Sequence, residues 1–360
     1  MNKPKILVTG GCGYIGSHTI VDLLDSGYDV VSLDNFVNSS PSALKGIEAI
    51  TGKKIENINC DLSDTSDAIG RTRQFGPFDG IIHFAALKSV EESVRQPNRY
   101  IQNNLGSTLT TIEMMEELNI PHLIFSSSCT VYGSPDKLPV TENTPIKRAE
   151  NPYGATKQAS EILYEQYVKY QSLQSTPEES VKSGQSVVKS AVKSVVSLRY
   201  FNPAGAHTSA LLGESSLNAP TNLVPVITET AIGLRDQLMV YGDDYPTRDG
   251  SCIRDYIHVM DLARAHTLAL EHIMLHKQTE PYQVYNLGIG EGVTVLEAIH
   301  AFEDATGVKV NYKIGPRRAG DVAAIYADNN LITQQLHWKP ALDINAIMSS
   351  AWEWEKAKRK

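Results

Sequence analysis

Lys5-Ile6-Leu7-Val8-Thr9 runs directly into Gly10-Gly11-Cys12-Gly13-Tyr14-Ile15-Gly16, and an amphipathic pattern then continues to about Ser26. A short apolar run, a tight glycine turn and a helix in immediate succession predict a buried parallel strand feeding a helix. Gly10, Gly13 and Gly16 let the backbone turn sharply and approach a pyrophosphate, which lies at the helix N-terminus where unpaired N–H groups point outward. Asp29-Val30-Val31-Ser32-Leu33 reads as the second strand. Asp34 ends it, where a carboxylate accepts hydrogen bonds from a ribose diol. A glycine loop alone is an ordinary turn; loop, helix, strand and carboxylate in this order point to a dinucleotide.

The alternation continues. Ile55 to Asn59 reads as a strand ending at Asp61-Leu62, Gly80 to Phe84 as another ending at Ala85-Ala86-Leu87-Lys88, and His122 to Ser128 as a third running into hydroxyls. A helix carrying Asn103 spans roughly Asn98 to Leu118. Repeated strand–helix units predict an α/β fold with a doubly wound parallel sheet of Rossmann type. After Asn202 glycine and proline become frequent and no second glycine fingerprint follows. We therefore expect residues 1–200 to form the dinucleotide-binding domain and 201–360 a smaller mixed α/β substrate-binding domain, with Tyr282 to Leu287 returning to the first sheet. Trp352 to Lys356 reads as part of a closing amphipathic helix. The Ser- and Lys-rich stretch at about 172–194, low in aromatics, is expected to be a surface insertion.

Composition narrows the function classes. The chain of 360 residues carries 33 basic and 41 acidic side chains, a net charge of −8, with no long basic run. Nucleic acid and anionic membranes are thus poor partners. No apolar run reaches membrane-spanning length. The cysteines, Cys12, Cys60, Cys129 and Cys252, are scattered, without Cys-x-x-Cys pairs or histidine clusters at metal spacing. A reducing cytoplasm and no metal is the simplest expectation.

The chemistry centres on Asn151-Pro152-Tyr153-Gly154-Ala155-Thr156-Lys157. On a helix, Tyr153 and Lys157 at i and i+4 share a face. A phenol with a pKa of about 10 is a poor base near neutrality unless a positive charge stabilises its phenolate, and bringing it to roughly 7 takes about 4 kcal/mol. Lys157, helped by an oxidised nicotinamide, is the expected source. Sixteen tyrosines make a Tyr-x-x-x-Lys common by chance; its weight comes from following the dinucleotide elements. Ser128 and Thr130 sit at a strand's carboxyl end, where ligands of such sheets bind.

Gly10 to Gly16, Phe84 to Lys88, Ser126 to Gly133 (SSSCTVYG), Asn151 to Lys157, Arg199-Tyr200-Phe201-Asn202-Pro203 and Arg254-Asp255-Tyr256-Ile257-His258-Val259 together resemble the UDP-glucose 4-epimerases of the extended short-chain dehydrogenase/reductase superfamily. The resemblance implies NAD contacts from Tyr14, Ile15, Asp34, Asn35, Asp61, Leu62, Phe84, Ala85, Ala86, Lys88, Asn103, Tyr153, Lys157 and Phe201. It implies a UDP-hexose held by Ser128, Tyr153, Asn202, Asn222, Leu223, Tyr241, Arg254, Arg318 and Asp321, and a homodimer through the helices after Asn98 and Tyr153. Arginines suit a diphosphate because they pair with it bidentately; without the resemblance, ion pairs with Asp255 and Asp321 would account for both. Family members that reject N-acetylated sugars tend to carry tyrosine where this chain has Ile325, so the resemblance implies more room for an acetamido group. A nucleotide-sugar 4,6-dehydratase shares the fold but needs a carboxylate beside the active hydroxyl, where this chain reads Ser128-Cys129-Thr130. A non-catalytic NAD-sensing protein would typically lack Tyr153 or Lys157.

Overall fold

The computed structural model describes residues 3–174, 193–215, 220–318 and 321–359. Its first half alternates as the apolar runs predict: β1 (Lys5–Thr9), α1 (Tyr14–Asp25), β2 (Asp29–Leu33), α2 (Ser42–Thr51), β3 (Glu56–Ile58), α3 (Thr65–Thr72), β4 (Gly80–His83), α4 (Val90–Arg95), α5 (Pro97–Glu117), β5 (His122–Ser128), α6 (Pro152–Gln174) and β6 (Ser194–Tyr200). β3 is shorter than the run from Ile55 to Asn59 because it lies at the sheet edge and pairs only with Val31 to Leu33 of β2.

The second half supplies β7 (Asn202–Ala204), α7 (Leu223–Ala231), β8 (Leu238–Tyr241), β9 (Ile253–Arg254), β10 (Tyr256–His258), α8 (Val259–Met274) and β11 (Tyr282–Leu287). It continues with β12 (Val293–Thr294), α9 (Val295–Thr306), β13 (Tyr312–Gly315), β14 (Ala324–Ile325), α10 (Asn330–Leu336) and α11 (Ile344–Ala357). β11 pairs with β6, so the chain re-enters the first sheet here. The seven strands run β11-β6-β5-β4-β1-β2-β3, every pairing parallel. Growth reverses between β1 and β4, which opens a crevice outside their carboxyl ends where such sheets bind ligands.

Both faces of the sheet are covered, and the period of two shows in the packing. Ile6 and Val8 join one core with Ile82, Ile124, Val196 and α8, while Leu7 joins the other with Ile81, Leu123, Phe125 and α5. Each such fully buried side chain contributes roughly 1.5–3 kcal/mol, so strand register is strongly fixed. A third core under α7, α9 and α11 includes Ile227, Phe302 and Met348. A fourth joins Cys129, Val131 and Tyr132 to Phe201 and Ile325.

The expected insertion at 172–194 falls for the most part outside the described residues. Its ends need correction, because both belong to the fold. α6 continues to Gln174, and Lys193 is buried, its Nζ donating to the carbonyls of Met115 (2.5 Å) and Ile120 (3.2 Å). Ser194 is also buried and opens β6. A lysine whose chain packs inward and whose ammonium reaches two carbonyls looks, in sequence, like any other lysine of a polar stretch.

Candidate active site

The glycine turn is built by contact. Gly10 has φ +68°, and a Cβ there would lie 2.8 Å from the Ala85 nitrogen, so the loops after β1 and β4 approach at backbone distance. A Cβ on Gly16 would lie 2.3 Å from the Gly10 carbonyl oxygen. Gly13 is the N-cap of α1 and offers no capping side chain, and no acidic residue occupies the first turn. The N–H groups at Tyr14 and Ile15 thus head a helix with its positive end open to an anion.

Asp34 ends β2 and is buried. Its carboxylate accepts from the N–H groups of Cys12 (3.0 Å) and Phe36 (2.8 Å) and from the Ser39 hydroxyl (2.6 Å). All three donors are neutral, and a carboxylate has about four lone-pair sites, so capacity is left for a diol. These features fit NAD: a cradle that a Cβ would fill, an open helix end, and an acid at the second strand. Phe84, Ala85 and Ala86 line the loop after β4 and are half-buried. Lys88 is exposed, 3.3 Å from Glu214 and over the Tyr14 ring at 6.0 Å. The Tyr14 hydroxyl donates to the Gly205 carbonyl (2.6 Å).

Four further expected contacts, Asp61, Leu62, Asn35 and Asn103, also have structural partners of their own. Asp61 is exposed, and its Oδ1 closes a local turn by accepting from the N–H and hydroxyl of Ser63, while the adjoining Leu62 is buried in the core. Asn35 accepts from the Val37 N–H in a similar turn. Asn103 donates its amide to Asn104 (3.0 Å). Asn104, which sequence reasoning passed over, is the buried member of the pair. It bonds both backbone groups of Leu87 and the Thr156 hydroxyl, tying the loop after β4 to α6.

Ser128 ends β5 and caps the 3-10 turn Cys129–Tyr132, accepting from Thr130 N–H at 3.3 Å. Tyr153 opens α6, where Asn151 Oδ1 accepts from Gly154 N–H (2.9 Å). Lys157, 5% exposed, donates to the Ser126 carbonyl (2.6 Å), and its ammonium lies 4.7 Å from the Phe125 ring centre and 5.9 Å from that of Tyr153. Burial pushes the phenol up to about 12, partly offset by the hydrogen bond with Ser128. Burial likewise pushes Lys157 down to about 7, against the pull of Glu161. Lys157 is expected to stabilise the phenolate together with an oxidised nicotinamide, and the protein's own groups without that second charge leave the phenol raised. In a dry site desolvation disfavours both charges, and the ammonium is spent on a carbonyl rather than on the phenol oxygen.

In the second half of the chain, Arg318 forks onto Asp321 (2.8 and 3.1 Å), and Arg254 stands 3.6 Å from the same carboxylate. Arg254 also donates to the Ile253 and Val322 carbonyls. Tyr241 lies under the Arg318 guanidinium at 5.5 Å. Of the two acids that offered an ion pair in place of a ligand, Asp321 makes it and Asp255 does not. Asp255 is fully buried and accepts from the N–H groups of Ile289, Gly290 and Ala327. Asn202 opens β7, Phe201 and Ile325 pack with Cys129, and Asn222 and Leu223 begin α7. Asn222 donates to Glu214 (2.9 Å), which thereby links it to Lys88; no sequence signal marked Glu214. Among the described residues no group of three His, Cys, Asp or Glu side chains is arranged to hold a metal ion.

A family model described as GDP-mannose 4,6 dehydratase matches residues 7–351. A UDP-glucose 4-epimerase of Erwinia amylovora is 43% identical over 351 residues, 98% of this chain and 97% of the relative. The chain belongs to the UDP-glucose 4-epimerase family. The relative of that description from Drosophila melanogaster is 42% identical over 361 residues, covering 99% and 97% of the two chains. Among solved structures, the Bifidobacterium longum UDP-glucose 4-epimerase in complex with NAD+ and UDP superposes with a TM-score of 0.88 at 43% identity, over 99% of both chains. The Campylobacter jejuni UDP-Glc/GlcNAc 4-epimerase does so at 0.80 and 35%, over 98% of this chain and 99% of the other. The dehydratase model covers a scaffold that epimerases share; in this epimerase-family chain the position after Ser128 is Cys129, not a carboxylate.

Proposed function

We propose that this protein interconverts UDP-glucose and UDP-galactose, using NAD, with Tyr153 as the acid–base group. The observation that carries the reading is the meeting of Ser128, Tyr153 and Lys157 at the carboxyl end of β5, beside a glycine cradle fit for a dinucleotide. NAD, when bound, would supply a reversible hydride acceptor for C4 of the hexose, together with positive charge near the phenol. Tyr153 takes the proton of the 4-hydroxyl, directly or through Ser128, and gives it back at the end. Lys157 holds positive charge behind the phenol while tied to the Ser126 carbonyl. Gly10, Gly13, Gly16, Tyr14 and Ile15 seat the pyrophosphate, and Asp34 the adenosine ribose. Arg254 and Arg318 hold the UDP diphosphate, with Asp321 keeping both side chains in place until it arrives. Residues 1–200 thus serve the cofactor and 201–360 the sugar nucleotide.

The same reading places the protein in galactose metabolism in the cytoplasm, which four buried free cysteines suit, and makes it a homodimer through α5 and α6. Those helices expose Ile101, Leu109, Ile162 and Tyr170, an apolar set for two helix pairs to cover. No described helix is long and apolar enough to cross a membrane. Ile325, at the Cys129–Phe201 cluster, leaves more room than a tyrosine. UDP-N-acetylglucosamine is therefore turned over, more slowly than UDP-glucose, and Ile325→Tyr loses that activity first; wild type with no acetylated turnover contradicts this. The main test is to incubate the purified protein with UDP-galactose and no added cofactor. UDP-glucose is expected; a product short of one water indicates a dehydratase, and no product a binding protein.

A further inference from the structure

We propose that Glu161 and Arg199 form a buried charge pair that positions the proton-transfer groups and sets the pH window in which they act, an inference that rests on the epimerase reading for which groups transfer the proton. Glu161 lies one helical turn after Lys157 on α6. Its carboxylate receives Arg199 through two parallel bonds, Nε to Oε1 at 2.9 Å and Nη2 to Oε2 at 2.6 Å, and the two side chains are 6% and 5% exposed. Oε1 also accepts from the Ser127 hydroxyl at 2.5 Å. Ser127 stands between Ser126, whose carbonyl holds the Lys157 ammonium, and Ser128. One carboxylate therefore grips the strand end that carries both.

The pair reaches further through Arg199. Its Nη1 donates to the Tyr132 hydroxyl (2.9 Å), which donates to Asn286 Oδ1 (2.6 Å). Asn286 in turn donates to the Val140 carbonyl (2.9 Å), and Val140 bridges to Ala327 two residues beyond Ile325. The network thus spans α6, β6, the 3-10 turn, β11 and the segment beside β14. Burying two charges costs several kcal/mol each, and apolar residues of equal volume often serve stability as well or better. A buried pair one turn from the lysine that stands behind the acid–base tyrosine is better explained by what its field does there, since charges in a dry site act strongly on one another.

The other groups around the site leave that field in control. From β4, His83 is held neutral by burial, at about 3. From the 3-10 turn, Cys129 and Tyr132 are both pushed up to about 12 by burial, and Tyr200 of β6 and Tyr282 of β11 lie well above their ordinary values for the same reason. Glu142, raised by burial, faces Arg199 from the far side, and Glu165 faces Tyr282 from the next turn of α6. Near neutrality Lys157 is the group poised to change charge, and Glu161 is the carboxylate that favours its protonated form.

Removing a negative charge lowers the pKa of every neighbour, and removing a positive one raises it. Glu161→Gln should move both limbs of the pH profile of kcat to lower pH, by about one unit for a charge a turn away in a partly screened site. Arg199→Gln should move them the other way. The double variant Glu161→Gln/Arg199→Gln should still shift both limbs to lower pH, by less than Glu161→Gln alone, because Glu161 is the nearer charge to Lys157; a double variant that coincides with wild type would mean that the pair has no net field there and overturns the proposal. A pair that merely braces the fold would lower activity at every pH and leave the limbs in place, and that result overturns the proposal. Phenolate absorbance read against pH, with Tyr153→Phe subtracted to isolate that residue, gives the same three shifts without turnover. A wild type that converts no UDP-galactose but whose Tyr153 titration moves with these charges sinks the epimerase reading and keeps the pair's role; an unmoved titration in an active enzyme does the reverse. If Glu161→Gln does not fold, Arg199→Gln decides alone by the sign of its shift.

Discussion

Asp34 shows how much one side chain can fix. A carboxylate that is buried, and held by two backbone N–H groups and a hydroxyl, cannot swing away from a ligand placed against it. A 2′-phosphate there would meet like charge at a carboxylate whose described donors are all neutral, whereas a ribose diol donates to it. NAD should therefore bind at least tenfold more tightly than NADP to protein freed of nucleotide, measured by calorimetry; equal affinities contradict the assignment. If Tyr153 is the proton acceptor as proposed, Tyr153→Phe should lower kcat by about 10²–10⁴. Lys157→Ala acts on the same step, so the double variant should fall well short of the product of the two single losses. Steady-state rates of the three variants check this, and multiplicative losses would mean the two side chains work independently.

At the scale of elements, the β1–turn–α1 unit was readable because strand, glycines and helix are contiguous and each glycine answers a local contact. Gly16→Ala puts a methyl carbon 2.3 Å from the Gly10 carbonyl oxygen, so the turn must open. The expected cost is about 1–3 kcal/mol of stability and most of the bound dinucleotide, read as a lower melting temperature and loss of nucleotide released on denaturation. A variant that keeps both would mean that the turn does not seat the cofactor. What sequence could not show is what lies between elements. Glu161 and Arg199 are 38 positions apart, Tyr132 and Asn286 are 154 apart, and Asn104 differs from Asn103 only in the direction that α5 happens to turn it. Asp255 neighbours Arg254 in sequence, which suggests an ion pair that the fold does not make. Tertiary folding instead surrounds its carboxylate with three backbone N–H groups.

The molecule as a whole buries histidines at many joints. His18, His83, His122, His258 and His266 are each held below the ordinary value, chiefly by burial, at about 4, 3, 4, 4 and 4. Unfolded histidine titrates near 6.5. Their stabilising contribution is complete above that value and is lost as pH falls, because the unfolded chain takes up protons that the folded chain refuses, at up to about 1.4 kcal/mol per pH unit for each. Asp255, raised to about 6 by burial, acts in the opposite direction, as do Asp22, Glu142 and Asp261, whose carboxyls burial also raises; His207 and His272, both lowered, add to the five. The melting temperature should thus fall steeply from pH 7.5 to pH 5 at constant ionic strength, and a flat profile would contradict the burial of these rings. Such burial has no periodic signature of its own. It emerges only when the sheet, α1, α8 and the later segments close on one another.

The claim on which the account depends is that hydride leaves C4 and returns to the same carbon without meeting solvent. UDP-galactose carrying deuterium at C4, incubated with the protein in ordinary water, tests it by mass spectrometry and NMR of the product. The account predicts UDP-glucose with the deuterium still at C4, and no incorporation at C4 when unlabelled substrate is turned over in deuterium oxide. Loss of the label to solvent, or its recovery at C6 of a product lacking the 6-hydroxyl, would contradict it.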